Sequence, residues 1–334
     1  MVYYTRMENI YSCHRAEWSF SRSLASRFSL SNYNGNHSCF NLRLQSNSES
    51  AYARTSNRGI RIGNVPCLFR THDFILIDMI FTNLIKTNLR TKQFGRDIEY
   101  YQRLGSTNDE AWELIQNGEA SHGMIVITDY QTQGKGRGGN SWFMSPSKGL
   151  ALSLILLESI PLEIAGLIPL VAGVAMAKTL KNRGGSPTLK WPNDILFHGK
   201  KTGGILCESK ISGQSVQSMI VGVGINVNET EIDFPDELKE TATSLSIESG
   251  HTHQRELVAA IFTTFFEQYW EMLQESPEEI INDWTSLCGH LGKPITFNIN
   301  REKQIGIFKR INHKGEACIT NGGDEKVYPS IILE

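Results

Sequence analysis

The stretch Gly134-Lys135-Gly136-Arg137-Gly138-Gly139 satisfies the dinucleotide fingerprint GxGxxG, and it follows an apolar run, residues 124–130, that reads as a buried strand. What comes after it decides the fold. A dinucleotide-binding turn must feed a helix whose N-terminus meets the pyrophosphate. Here residues 142–146 and then a second apolar strand, 149–157, follow instead. The pattern excludes a doubly wound nucleotide fold at this point. It leaves a polar, cationic, glycine-rich loop over 131–148, able to close over an anionic ligand through Lys135, Arg137 and its backbone amides. A plain solvated loop is the alternative reading of the same residues.

Upstream of the loop, Phe74, Ile75, Ile77, Ile80, Phe81 and Leu84 fit a helical stripe, and 97–104 reads as a strand. Ser106-Thr107-Asn108-Asp109 then opens a helix to about Asn117, the serine and the acid three residues on predicting a capping box. Downstream, 162–181 predicts one long helix rich in small residues, ended by Gly184-Gly185. Strands over 188–191, 195–197, 203–211 and 215–227 follow, with hairpin-like turns at His198-Gly199-Lys200 and Ser212-Gly213-Gln214, so the sheet is largely antiparallel. Helices over 255–273 and 277–288 close this part. Short alternating strands over 292–334, punctuated by His313-Lys314-Gly315 and Asn321-Gly322-Gly323, predict a small β-barrel. Strands near Val216 to Val223, read as sheet edges, are candidates for pairing in a homodimer.

With 334 residues, 40% hydrophobic and 20% charged, the chain can bury a full core and a small satellite domain. Its longest apolar stretches, 150–157 and 167–177, fall short of the ~20 residues of a membrane span. No transmembrane helix and no membrane partner are expected. The net charge of −2 conceals an asymmetry: residues 1–72 hold nine arginines, no lysine and three acids, and the remainder carries a net −8. That acidic remainder argues against wholesale binding to nucleic acid. Six cysteines without a CxxC pair predict neither a zinc site nor a disulfide framework, and are read as reduced thiols of a soluble intracellular protein.

Residues 1–72 also hold twelve serines and show no sustained period, which reads as a leader. Arginine- and serine-rich, acid-poor composition is that of an organellar transit peptide, for mitochondrion or plastid. A disordered extension, or an upstream stretch wrongly joined to the reading frame, is the alternative and would leave the protein cytoplasmic.

Three further stretches carry chemistry, each with a bland reading beside it. Lys190-Trp191-Pro192-Asn193-Asp194 gathers a cation, an aromatic, a rigid turn and two oxygen-bearing side chains, but could be a buried tryptophan beside a proline turn. Lys200-Lys201-Thr202-Gly203-Gly204 could be a solvated turn. Gly222-Val223-Gly224-Ile225-Asn226-Val227-Asn228 could be a core strand. In this order, with Ser106-Thr107-Asn108, the loop from Gln131 to Arg137, and Ala242-Thr243-Ser244-Leu245, they resemble the biotin–protein ligase (holocarboxylase synthetase) family from about Gly95 to Glu334.

The resemblance implies an α+β fold: a catalytic domain over 73–290 like that of class II aminoacyl-tRNA synthetases, with a mixed, largely antiparallel sheet, and an SH3-like C-terminal domain over 291–334. It implies an ATP-dependent ligase that makes biotinyl-5′-AMP and transfers biotin to a lysine of a biotin carboxyl carrier domain, with Mg²⁺. Carried over by position, biotin contacts fall on Ser106, Thr107, Asn108, Gln131, Lys135, Gly136, Arg137 and Lys201. Ser106, Thr107 and Gln131 would serve the ureido ring, while Lys201 and Arg137, with Lys190 as a further cation, would offset the repulsion between carboxylate and phosphate. Trp142 would wall the adenine, Asn193 and Asn226 would contact the nucleotide, and Asp194 would hold the metal. The loop carries less arginine than is common in the family, and residues 1–72 lack the helices of a winged helix-turn-helix, so no repressor role is expected. A lipoate–protein ligase and a DNA-binding biotin sensor are the rival readings.

Overall fold

The computed structural model describes residues 79–299 and 302–333, preceded by the backbone of six short strands (β1–β6) between Tyr3 and Ile62 in a separate unit, residues 1–77. No period-2 pattern in that segment predicts those strands. Otherwise the leader and transit peptide expected over 1–72 lie outside the described residues, as do positions 74–78 of the first predicted helix.

In the second unit, α1 (Thr82–Asn88) buries Ile85. Phe81 and Leu84, placed on the inward stripe by the sequence, are 41% and 44% exposed, because the helix begins only after Phe81. Strand β7 (Ile98–Tyr101) runs parallel to β8 (Ile125–Thr128) through the crossover helix α2 (Thr107–Asn117). The other pairings are antiparallel: β9 (Leu150–Leu156), β10 (Ile160–Pro161), β11 (Thr188–Lys190), β12 (Asp194–Phe197), β13 (Lys200–Ser212) and β14 (Ser215–Ile225) complete a mixed sheet. Its order is β11-β12-β13-β14-β9-β8-β7, with β10 on the start of β14.

Strand β9 is buried at every residue because both sheet faces are covered. Leu150, Leu152, Leu154 and Leu156 point into the main core, and Ile155 points into a smaller cluster with Ala111, Leu114, Val126 and Ile220 under α2. A strand covered on both faces reads as a continuous apolar run, which is what the sequence shows. Strand β14 lies between β13 and β9. The expected free edge near Val216 to Val223 is therefore closed from Met219 on, where β13 runs along one side and β9 along the other, and at Val216, where β10 pairs. The His198-Gly199 connection has positive φ at both residues (48° and 84°), the backbone of a tight two-residue hairpin.

The helix predicted over 162–181 is broken into α3 (Leu162–Ala165) and α4 (Ile168–Asn182). Pro169, lacking an N–H, sits in the first turn of α4, where it is tolerated; further inside a continuous helix it would clash with the preceding turn. By length and composition 162–182 could cross a membrane, but α4 is packed against α6 (Arg255–Glu275), α7 (Pro277–Leu287) and the sheet, which accounts for its apolar character. The short helix α5 (Leu245–Ser249) precedes α6 and starts at Ser244, whose hydroxyl accepts from the Ile247 N–H.

The C-terminal strands β15 (Pro294–Ile299), β16 (Glu302–Ile311), β17 (Ala317–Asn321), β18 (Asp324–Tyr328) and β19 (Ile332–Leu333) form an antiparallel sheet in the order β18-β17-β16-β15-β19. Its Phe297, Phe308, Ile311, Ile319 and Leu333 join the same apolar core as the large sheet. Trp191, 2% exposed, crosses the junction: its indole N–H donates to Gly315 O at 3.0 Å and its ring lies 6.4 Å from that of Phe308.

Candidate functional site

A cleft opens over β13 and β14 between the start of α2 and the glycine-rich loop. Ser106, Thr107, Asn108, Gln131, Lys135, Gly136, Arg137, Trp142, Asn193 and Lys201 all line it. Residues distant in sequence thus converge on one cavity. Lys190, Asp194 and Asn226 do not line it.

The polar floor is built where α2 begins. Ser106 is the N-cap residue, but its hydroxyl makes no cap bond, and the predicted capping box with Asp109 does not form. Instead Gln131 Oε1 accepts from the Thr107 N–H at 2.8 Å and from Thr107 Oγ1 at 3.2 Å, while Asp109 pairs with Lys135 at 2.5 Å. The helix end is capped from the loop, and Ser106 is left free to face the cleft. Ser153 Oγ donates to Asn108 Oδ1 at 2.6 Å, and Asn108 Nδ2 donates to Glu208 Oε2 at 2.7 Å. Ser153 and Glu208 were not among the residues expected from the sequence. The signal for Ser153 was there: it is the one polar residue in Leu150–Leu156.

Two glycines of β14 give the cleft its shape. A methyl group on Gly222 would lie 2.3 Å from Asn108 Oδ1, and one on Gly224 would lie 2.5 Å from the Trp142 indole. Both side chains can therefore lie flat against the sheet. The Trp142 N–H is buried against the sheet without a hydrogen-bond partner among the described residues. Lys201 Nζ lies 6.0 Å from the centre of the Trp142 ring and 2.5 Å from Asp194 Oδ1. A register shift between β12 and β13 leaves Thr202 without an opposite residue next to Lys201, and such bulges re-aim neighbouring side chains. The Ala242-Thr243-Ser244-Leu245 stretch is the other support: Lys201 N donates to Thr241 O at 2.7 Å and Thr243 N donates to Lys201 O at 2.9 Å.

A protein-family profile described as the biotin/lipoate A/B protein ligase family matches residues 100–226. Over 251 residues the chain is 36% identical to the bifunctional ligase/repressor BirA of Bacillus subtilis, spanning 74% of this chain and 77% of that protein. The chain belongs to the biotin–protein ligase family. The biotin–(acetyl-CoA-carboxylase) ligase of Paracoccus denitrificans is 29% identical over 68% of this chain and 96% of its own length. Among solved structures, the biotin protein ligase of Aquifex aeolicus in complex with biotin and ATP superposes with a TM-score of 0.61 at 27% identity, covering 72% of this chain and 99% of that one.

Against that family background, three carried-over residues take positions other than the ligand-facing ones expected. Asn226 is 4% exposed and its Nδ2 donates to Thr243 O at 2.9 Å, which commits it to holding the 242–245 stretch. Lys190 sits opposite Asp194 in the β11–β12 register, outside the cleft lining. Asp194 is engaged by Lys201, and among the described residues no three His, Cys, Asp or Glu side chains converge as a metal cage. The residues present do not assemble a protein-built Mg²⁺ site.

Beneath the cleft both roots of the loop are held by one buried cation. Arg255 on α6 forms an ion pair with Asp129 at 2.8 Å and donates to Gly149 O at 3.3 Å; Tyr100 OH also donates to Asp129. Nearby, Glu229 is fully buried. Burial raises its pKa from the ordinary 4.5 to about 7, partly opposed by the backbone of Glu229, Val227 and Ser145. Between those two values the folded protein keeps a proton that the unfolded chain has released. Glu229 therefore contributes full stability below about pH 4.5, which is lost as pH rises through about 7. Glu229→Gln should raise stability at pH 8 by about 2–3 kcal/mol and change it little at pH 5. Denaturant titrations at the two pH values check this, and equal gains at both would refute it.

Proposed function

We propose that the chain adenylates biotin with ATP and transfers it to a lysine of a biotin carboxyl carrier domain. The observation that carries the reading is the convergence of Ser106, Thr107, Gln131, Trp142 and Lys201 on one cleft. It is supported by the relatives whose names and bound ligands are biotin, ATP and acetyl-CoA carboxylase. In this reading the larger part is a catalytic domain of the class II aminoacyl-tRNA synthetase kind and the C-terminal sheet is an SH3-like barrel.

The chemistry follows from the cleft. Ser106 and the Thr107–Gln131 pair offer donors and acceptors to the neutral ureido ring of biotin, and Ile205, Leu206 and Val223 supply the apolar walls. Lys201 stands where the biotin carboxylate meets the α-phosphate of ATP. One carboxylate oxygen attacks the α-phosphorus, the bond to the β-phosphate bridging oxygen breaks and pyrophosphate leaves. A carrier lysine then attacks the carbonyl of biotinyl-5′-AMP, and AMP departs. Lys201 offsets the repulsion between two anions and steadies the charge that builds on the phosphoryl oxygens. Asp194 orients the Lys201 ammonium at 2.5 Å. Any Mg²⁺ would arrive with ATP as part of the substrate.

The test is biotin-dependent ATP–pyrophosphate exchange by the full chain. Exchange that follows lipoate rather than biotin would overturn the substrate assignment. Arg137→Gly should separate the half-reactions: adenylate still forms at Lys201, but loss of a charge-assisted contact lets it escape about ten- to hundredfold faster. Biotinylation of an unrelated lysine-rich protein, compared with a carrier domain at matched pyrophosphate release, reads that escape. Equal selectivity in both enzymes would show that another residue guards the intermediate.

A further inference from the structure

The glycine-rich loop folds on itself at its tip. Gly136 N donates to Asn140 O at 2.7 Å, Trp142 N donates to Gly134 O at 2.8 Å, and Asn140 Nδ2 donates to Arg137 O at 2.9 Å. Arg137 leaves this tip and reaches the C-terminal sheet. Its Nη2 donates to Ser330 Oγ at 2.6 Å and its Nη1 donates to Ile331 O at 3.0 Å. A second contact lies beside the first: the Ile332 side chain is 3.4 Å from where a methyl group on Gly138 would be. The receiving segment is itself anchored. Ile331 and Leu333 are buried, and β19 pairs with β15 through Phe297–Leu333 and Asn298–Ile332.

We infer that the segment from Ser330 to Ile332 is the catch that holds the loop over the cleft, with Ser330 a positioning residue acting through Arg137. The inference rests on the ligase reading above and extends it to the retention of the adenylate. A guanidinium has five N–H donors in a rigid fork. With two of its nitrogens fixed on the C-terminal segment, the orientation of the remaining donors is set, and Arg137 still lines the cleft, within electrostatic reach of Asp194. The C-terminal sheet thus acts on the intermediate without touching it. Ser330 is exposed, so its hydroxyl serves no core packing.

The experiment compares the wild-type full chain with Ser330→Ala and Ser330→Thr. Single-turnover pyrophosphate release with biotin and ATP reads adenylate formation. Biotinylation of a bystander lysine-rich protein relative to a carrier domain reads escape. Ser330→Ala should release pyrophosphate at nearly the wild-type rate while bystander labelling rises about three- to tenfold, a partial loss because the Ile331 carbonyl still holds Nη1. Ser330→Thr, which keeps the hydroxyl, should restore wild-type selectivity. Unchanged selectivity in Ser330→Ala overturns the catch, as does an equal fall in formation and retention. Absence of biotin-dependent pyrophosphate release from the wild-type chain would overturn the ligase reading itself.

Discussion

Lys201→Ala should slow biotin-dependent pyrophosphate release about a hundredfold, corresponding to ~3 kcal/mol of transition-state stabilisation. The fold should survive almost unchanged. Lys201 and Asp194 are 40% and 23% exposed at the side chain, and pairs at that exposure contribute about 0–1 kcal/mol to stability. On the proposed mechanism the same charge is worth more to the reaction, because there it faces two anions that must approach within bonding distance. Asp194→Asn separates anchoring from charge: it should lower the rate less than Lys201→Ala does, since the ammonium remains but is no longer aimed. Pyrophosphate release near the wild-type rate in folded Lys201→Ala would sink the assignment.

Arg255→Met should destabilise the fold by about 3–5 kcal/mol, the cost of leaving one partner of a buried ion pair unmatched. Arg255 and Asp129 are 5% and 3% exposed, and burial already pushes the Asp129 carboxyl up against the opposing pull of Tyr100 and Arg255. Without Arg255 the aspartate takes up a proton more readily, and the loss should grow as pH rises. Adding Asp129→Asn to Arg255→Met should recover part of it, because a neutral amide no longer requires the missing cation. Urea unfolding followed by tryptophan fluorescence measures both. A loss below about 1 kcal/mol in the single variant would show that Arg255 is not the clamp at the loop roots.

The sheet was legible because its strands announce themselves: Leu150–Leu156 is nearly all apolar, and His198-Gly199 marks its hairpin by turn chemistry alone. The convergence of residues on one cleft was legible for a different reason. Ser106, Thr107, Gln131 and Lys201 sit in short stretches whose order is distinctive even though each stretch alone is weak. What could not be read was which partner a polar side chain chooses. Asp109 has the spacing for a capping box, yet Lys135, 26 residues away, takes it, and Gln131 caps the helix instead. Asn226 has the position of a nucleotide contact, yet the backbone of Thr243 claims its amide. Strand order was equally hidden: nothing local in Val216 to Val223 shows that β9, about sixty residues earlier, covers its second side from Met219 on.

Trp191 sits in the midst of a stretch rich in candidate ligand groups, yet it spends its indole N–H and its ring on the C-terminal sheet. Residues 79–333 should consequently melt as one cooperative block, with a single calorimetric transition whose van't Hoff and calorimetric enthalpies agree. Evolution has the same constraint. A chain ending before Pro294 would remove Gly315 and Phe308 from Trp191, now 2% exposed, leaving its indole with less cover and an apolar surface prone to self-association. In this enzyme the small sheet cannot be lost or exchanged without rebuilding the floor beneath the large one.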